Sequence, residues 1–148
     1  MSEHAIQVRL QQRQDYQFEI DFGGQVPRLL GDEPVPLGSG LGPSPVQMLA
    51  AAVGNCLSDS LLFALRKFKQ APEPIRCEVL AQVGRNPEGR MRVLDMQATL
   101  TLGVEAAALA HLDRVLGQFE AFCTVSQSVA QGIPLRVEVF DALGVRLK

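Results

Sequence analysis

Between Ser44 and Lys69 the chain carries one long run of helix-forming, mostly apolar residues, and a helix of that length needs partners for its apolar surface. Its start is marked three times over. Ser44 can cap, Pro45 suits the first helical position, and Gln47 completes a Ser-x-x-Gln capping box. Its end is set by Ala71-Pro72-Glu73-Pro74, because the residue before a proline is pushed out of the helical region. Leu49, Ala52, Val53, Cys56, Ser60, Phe63 and Ala64 recur at helical spacing, which predicts a buried face and a central place in the fold.

The flanking segments read as strands. Ile6, Val8 and Leu10 alternate with polar neighbours, as do Tyr16, Phe18 and Ile20, with Gln11–Asp15 as the turn of a first hairpin. Residues 23–45 are rich in Gly and Pro and predict a loop with one short strand. Ile75, Cys77, Val79, Ala81 and Val83 alternate, Asn86-Pro87-Glu88-Gly89 is a turn, and residues 90–102 complete a second hairpin. Residues 105–119 predict a helix with Leu109, Leu112, Val115, Leu116 and Phe119 on one face. A short helix over 124–131 follows, closed by Gly132 with Pro134 beyond, and Leu135, Val137 and Val139 form the last strand. This order predicts an α+β fold with an antiparallel sheet, and 148 residues suit a single domain, 1–148.

Composition narrows the function classes. A net charge of −2 and no basic cluster give no electrostatic case for nucleic acid. One Tyr and no Trp leave little for stacking on bases. The first residues lack a signal pattern, and no uninterrupted apolar run reaches the roughly 18–20 residues of a membrane helix. The expectation is a cytoplasmic protein without a membrane partner, with its thiols kept reduced. Three cysteines, an odd number, also argue against a disulfide framework. His4 and His111 are the two histidines, with no C-x-x-C or H-x-x-x-H spacing, so no metal site is expected. The Gly38–Gly42 stretch lacks phosphate-loop and dinucleotide spacing, no Ser sits in a G-x-S-x-G elbow, and no cofactor is expected.

The cysteines remain. Cys56 lies about three turns inside its helix, beyond the reach of that helix's own N-terminal field, and Asp59 would raise its pKa if ionised nearby. It is either inert core or a thiol activated by a cation from elsewhere. Cys123 immediately precedes the short helix, where free backbone N–H groups can stabilise a thiolate; packing against Phe119 and Phe122 is the alternative. Cys77 falls on the apolar parity of its strand and reads as core. Arg13 and Arg9 are cations in the first hairpin, and taken alone each reads first as a solvated strand or turn residue.

Pro45-Val46-Gln47-Met48-Leu49-Ala50-Ala51-Ala52-Val53-Gly54-Asn55-Cys56, with Cys123-Thr124-Val125-Ser126-Gln127-Ser128-Val129 and Gly132-Ile133-Pro134-Leu135-Arg136-Val137-Glu138-Val139, resembles the OsmC/Ohr family of osmotically induced and organic hydroperoxide resistance proteins. The likeness runs from about Pro43 onward, and the Cys-x-Val-Ser form is closer to the OsmC-like branches. The resemblance implies an OsmC-like fold, with antiparallel sheets wrapped around a long central helix in an intertwined homodimer. It implies a thiol peroxidase in which Cys56 attacks a small-molecule hydroperoxide, Cys123 resolves the product as a disulfide, and a dithiol reductant restores both. An N-terminal arginine, matched by position to Arg13 with Arg9 as fallback, would stabilise the Cys56 thiolate.

The chain departs from the pattern at Val46, where the family places a glutamate. Asp32 or Glu33 is available as a substitute carboxylate. Loss of one charged hydrogen-bond partner costs roughly 1.5–3 kcal/mol, or about ten- to a hundredfold in rate if it is all felt in the transition state. Alternatively, Arg13 without that partner is freer to lower the pKa of Cys56. Three functions follow: a weakened hydroperoxide reductase, a non-catalytic binding protein for a small apolar or thiol-containing ligand, or a structural protein with both cysteines in the core.

Overall fold

The computed structural model describes residues 3–148. The chain divides into two units, one up to Met48 and one spanning Leu49–Lys148, and the division falls within the long helix.

The first unit is an antiparallel sheet of β1 (Arg9–Gln14), β2 (Gln17–Asp21) and β3 (Leu29–Gly31), in that order. The expected turn at Gln11–Asp15 is displaced. Gln11–Gln14 belong to β1, and the reversal is made at Asp15 and Tyr16, with Asp15 at φ 49°. Every residue of β1 is exposed, so its polarity reflects a solvated strand rather than a turn. Asp tolerates the left-handed conformation that the tight reversal requires.

Asp32 organises the loop beyond β3. It is buried, and its carboxylate accepts the backbone N–H groups of Glu33 at 2.7 Å and Leu41 at 3.1 Å. Gly38 packs directly on it; a Cβ there would lie 2.4 Å from Asp32 Oδ1, so no larger residue fits.

Helix α1 runs Pro45–Lys67. Its capping box forms as the sequence predicts: Ser44 N–H donates to Gln47 Oε1 at 2.9 Å, and Gln47 N–H donates to Ser44 Oγ at 3.2 Å. It ends with Lys69 at φ 59° and Gln70 N–H donating back to the Leu65 carbonyl at 3.0 Å. The buried face is rotated from the expected one. Val53, Gly54, Leu57, Leu61 and Leu65 are buried, Cys56 and Ser60 are half-buried, and Ala52 and Phe63 face solvent. In a helix this uniformly apolar, spacing alone does not select the stripe that meets the core.

The second unit holds the main core. Leu57, Leu61 and Leu65 of α1 pack with Met96, Ala98 and Leu100 of β5 (Met91–Thr101) and Val139 of β6 (Leu135–Phe140). With β4 (Arg76–Arg85) these strands form a sheet in the order β4-β5-β6. The β4–β5 hairpin is antiparallel as expected, but β6 lies parallel to β5, so the sheet is mixed rather than antiparallel. The long helical connection between β5 and β6 permits the crossover. Gly54 allows α1 to approach β4 closely, since a Cβ there would be 2.9 Å from Val79 Cγ2 and 3.3 Å from Cys77 Sγ. A register shift at Gln82/Val83 turns Val83 outward, against its expected inward parity.

The helix expected over 105–119 is broken. A 3₁₀ turn at Ala106–Ala108, α2 at Leu112–Gln118 and a second 3₁₀ turn at Phe119–Phe122 replace it. His111, at φ 60°, occupies the N-cap position of α2 and stacks on Phe68 with ring centroids 4.8 Å apart. Helix α3 is Thr124–Val129.

By length and composition α1 is also long and apolar enough to cross a membrane. Its apolar residues are interrupted by Gly54, Asn55 and Asp59, so no unbroken apolar run marks it. The leucine stripe of this helix lies in the core of the second unit.

Candidate functional site

The second unit brings Cys56 and Cys123 together. Cys56 lies on the α1 flank beside the leucine stripe, half-buried, and Cys123 belongs to the core cluster that it packs against. Both are free thiols, close enough for each to alter the other's proton affinity. Cys123 is 1% exposed and stands at the N-cap of α3, as the sequence predicts, with its carbonyl accepting Gln127 N–H at 3.0 Å. Of its two expected packing partners, Phe119 is buried but Phe122 is 77% exposed.

The free N–H groups at the start of α3 serve both cysteines, with Ser126 N–H acting on each and Val125 N–H on Cys56. The backbone N–H groups of Val125 and Ser126 face the Cys56 sulfur and favour its thiolate. Cys56 thus meets a helix N-terminus that is not its own, a partner invisible from its position inside α1. Burial pushes the Cys56 thiol up, and Cys123 beside it pushes it further; the two N–H groups offset this only in part, and the net shift is upward. Asp59, expected to disturb Cys56, is exposed and accepts the Asn55 amide at 3.1 Å.

Cys123 moves the opposite way. Burial pushes it up, but the Ser126 hydroxyl, the Cys56 thiol, the Ser126 N–H and the Ser60 hydroxyl together bring it below the ordinary thiol value. Ser60 lies one turn after Cys56 on α1, so one helix face presents both groups to Cys123. Sequence reasoning missed Ser60 and Ser126 as site residues, although the i to i+4 spacing from Cys56 and the N-cap-to-N3 spacing from Cys123 were there to be read.

A thiol pushed upward is mostly protonated near neutrality. The reaction of Cys56 with a small electrophile should therefore accelerate with pH, by up to about tenfold per unit below its titration point. Stopped-flow alkylation of a Cys77→Ser variant checks this; a flat rate would show that Cys56 is already ionised.

Cys77 is half-buried on β4 against Gly54, and burial pushes its thiol up despite the Ser58 hydroxyl beside it, which fits the core role expected. Arg13 lies on β1 in the first unit, with its side chain 56% exposed and its guanidinium paired to Glu19 on β2. Arg28 binds the other Glu19 oxygen at 2.6 Å. These two arginines hold the Glu19 carboxyl below the usual range. The carboxylate beside Arg13 is thus Glu19 rather than Asp32 or Glu33; Asp32 is committed to its loop. Arg9 is exposed on the same strand. Val46 is half-buried in the first turn of α1, a turn that carries no acidic residue.

One apolar cleft of about 220 Å³ in the second unit is lined by Phe63, Phe68, Phe119 and Phe122, with Lys67 and Arg114 among its other walls. Neither Cys56 nor Cys123 lines it.

A long cysteine-bearing helix, two small sheets and a second cysteine at a helix N-cap define the class. The family model for OsmC-like proteins matches residues 38–138, and the chain belongs to that family. Among solved structures, the OsmC-like protein of Mycoplasma pneumoniae is similar at a TM-score of 0.76 and 11% identity, covering 95% of this chain and 99% of that one. An OsmC-like protein of unknown function from Vibrio cholerae gives 0.74 and 20%, over 95% and 100% of the two chains. The organic hydroperoxide resistance protein OhrB of Bacillus subtilis gives 0.69 and 13%, over 92% and 98%. At these identities the likeness establishes an OsmC-like α+β fold. No curated protein matches the chain.

Proposed function

We propose that this chain is a thiol-dependent hydroperoxide reductase working through Cys56 and Cys123. The observation that carries the reading is the apposition of the two reduced thiols, one on α1 and one at the N-cap of α3. Cys56 is the more exposed and is the nucleophile. Its thiolate attacks one peroxide oxygen, the O–O bond breaks, and the alkoxide leaves and takes a proton as an alcohol. Cys56 is then a sulfenic acid. The Cys123 thiolate attacks the Cys56 sulfur, the S–O bond breaks, and hydroxide leaves as water. A dithiol reductant returns both cysteines to thiols by exchange and is itself oxidised to a disulfide.

The buried position of Cys123 protects it from peroxide, and its lowered proton affinity suits attack on the sulfenic acid. Arg13, held by Glu19, is the proposed stabiliser of the Cys56 thiolate, acting within a homodimer. The largely exposed Phe63 on α1 and the exposed Phe122 support such an assembly, as apolar surface that a second chain would cover. Thiol counting tests the chemistry. One equivalent of an organic hydroperoxide should remove two thiols per chain, and loss of none would refute it.

A second reading, a binding protein for a small apolar ligand, is favoured by the aromatic cleft. Saturable binding of an apolar fluorophore, displaced by a Phe63→Asp variant, together with unchanged thiols under peroxide, would support that reading over the first.

A further inference from the structure

We infer that Ser126, with Ser60, is a positioning residue that holds the Cys123 sulfur as a thiolate and aims it at Cys56; this rests on the proposed disulfide chemistry. Ser126 is 1% exposed, and its hydroxyl has no hydrogen-bond partner among the described residues of the reduced protein. A buried hydroxyl without a partner is costly, and a small residue such as Ala would avoid the cost. Ser126 is the third residue of α3, and at that position a side chain reaches back toward the N-cap, here Cys123. Ser60 reaches the same sulfur from α1. Two hydroxyls from two elements thus favour one thiolate. A thiolate accepts from both, while a neutral thiol is a weak acceptor. The partner that Ser126 lacks is therefore the anion of Cys123.

Among the described residues, no Lys, Arg or His is one of the main causes of the lowered proton affinity of Cys123. The groups facing it are Cys56 and Ser60 of α1 and Ser126 of α3. Glu120, three residues earlier, is paired with Lys148, and Asp59 of α1 is exposed and bonded to Asn55. Neutral donors, the two hydroxyls with the Cys56 thiol and the Ser126 N–H, thus favour this thiolate. The arrangement acts twice in the cycle. It keeps the resolving thiolate ready for the Cys56 sulfenic acid, and it makes Cys123 the better leaving group when the disulfide is reduced, which directs an incoming thiol to Cys56.

The test is a titration of Cys123 by thiolate ultraviolet absorbance in a Cys56→Ala/Cys77→Ser background, which requires no peroxidase activity. Ser126→Ala should raise the Cys123 midpoint by about one pH unit, a tenfold loss of thiolate at a given pH. Ser60→Ala should raise it by less, and Ser126→Thr, which keeps the hydroxyl, should stay near the parent. Because the Ser126 hydroxyl is unpartnered in the thiol form, Ser126→Ala should leave the melting temperature unchanged or higher, which a merely structural serine would not do. In the full chain, disulfide closure after peroxide should slow about tenfold near neutral pH. A midpoint unmoved by Ser126→Ala, or Thr behaving as Ala, would overturn the inference while leaving the disulfide chemistry standing.

Discussion

Replacement of Cys56 by serine should remove peroxide consumption, a fall of about a thousandfold or more, because the reaction loses its only accessible nucleophile of the pair. Cys123→Ser should behave differently. Cys56 would still be oxidised once, so one equivalent of peroxide is consumed, and the chain would then stop as a sulfenic acid. The contrast follows from burial: Cys56 is half-buried whereas Cys123 is 1% exposed. It runs against the ordering of proton affinities, in which Cys123 is lowered and Cys56 raised. Access should win, since a thiolate the peroxide does not reach does not react. Single-turnover peroxide consumption by each variant decides it. A Cys56→Ser variant that still consumes one equivalent would make Cys123 the nucleophile.

The second large effect concerns position 46. Val46→Glu restores a carboxylate at the helix start where the family pattern places one, and α1 carries no acidic residue in that turn. A negative charge at a helix N-terminus is stabilising by about 0.3–1 kcal/mol, so the variant should fold at least as well. Its peroxide rate constant should rise about ten- to a hundredfold, the equivalent of one charged hydrogen bond gained in the transition state. Steady-state turnover with a dithiol measures it. An unchanged rate would mean that the carboxylate at 46 is dispensable here, with Glu19 sufficient to hold Arg13.

The legible and illegible parts of this chain differ for physical reasons. The α1 boundaries were readable because caps are local chemistry: Ser44, Gln47 and the prolines beyond Ala71 act within a few residues. The buried stripe of α1 was not, since nearly every residue of that helix is apolar and only tertiary contact selects Leu57, Leu61 and Leu65 over Phe63. The Arg13–Glu19 pair was hidden by the misplaced turn. With the reversal at Asp15–Tyr16, Glu19 lies opposite Gln11, and the register irregularity between Gln12 and Gln14 leaves Arg13 unpaired in the ladder with its side chain on Glu19. At the site, the place of Cys123 at a helix start could be read from its neighbours. The delivery of the α3 N–H groups to Cys56 could not, because it joins residues far apart in sequence. The parallel pairing of β6 with β5 escaped for the same reason.

Peptide mapping by mass spectrometry, after one equivalent of an organic hydroperoxide is added to the reduced protein, tests the central claim most directly. The account predicts a Cys56–Cys123 disulfide as the main product, with Cys77 still a free thiol, and restoration of all three thiols by a dithiol. Cys56 and Cys123 both recovered as free thiols while the peroxide persists, or a disulfide that runs through Cys77 instead, would contradict it.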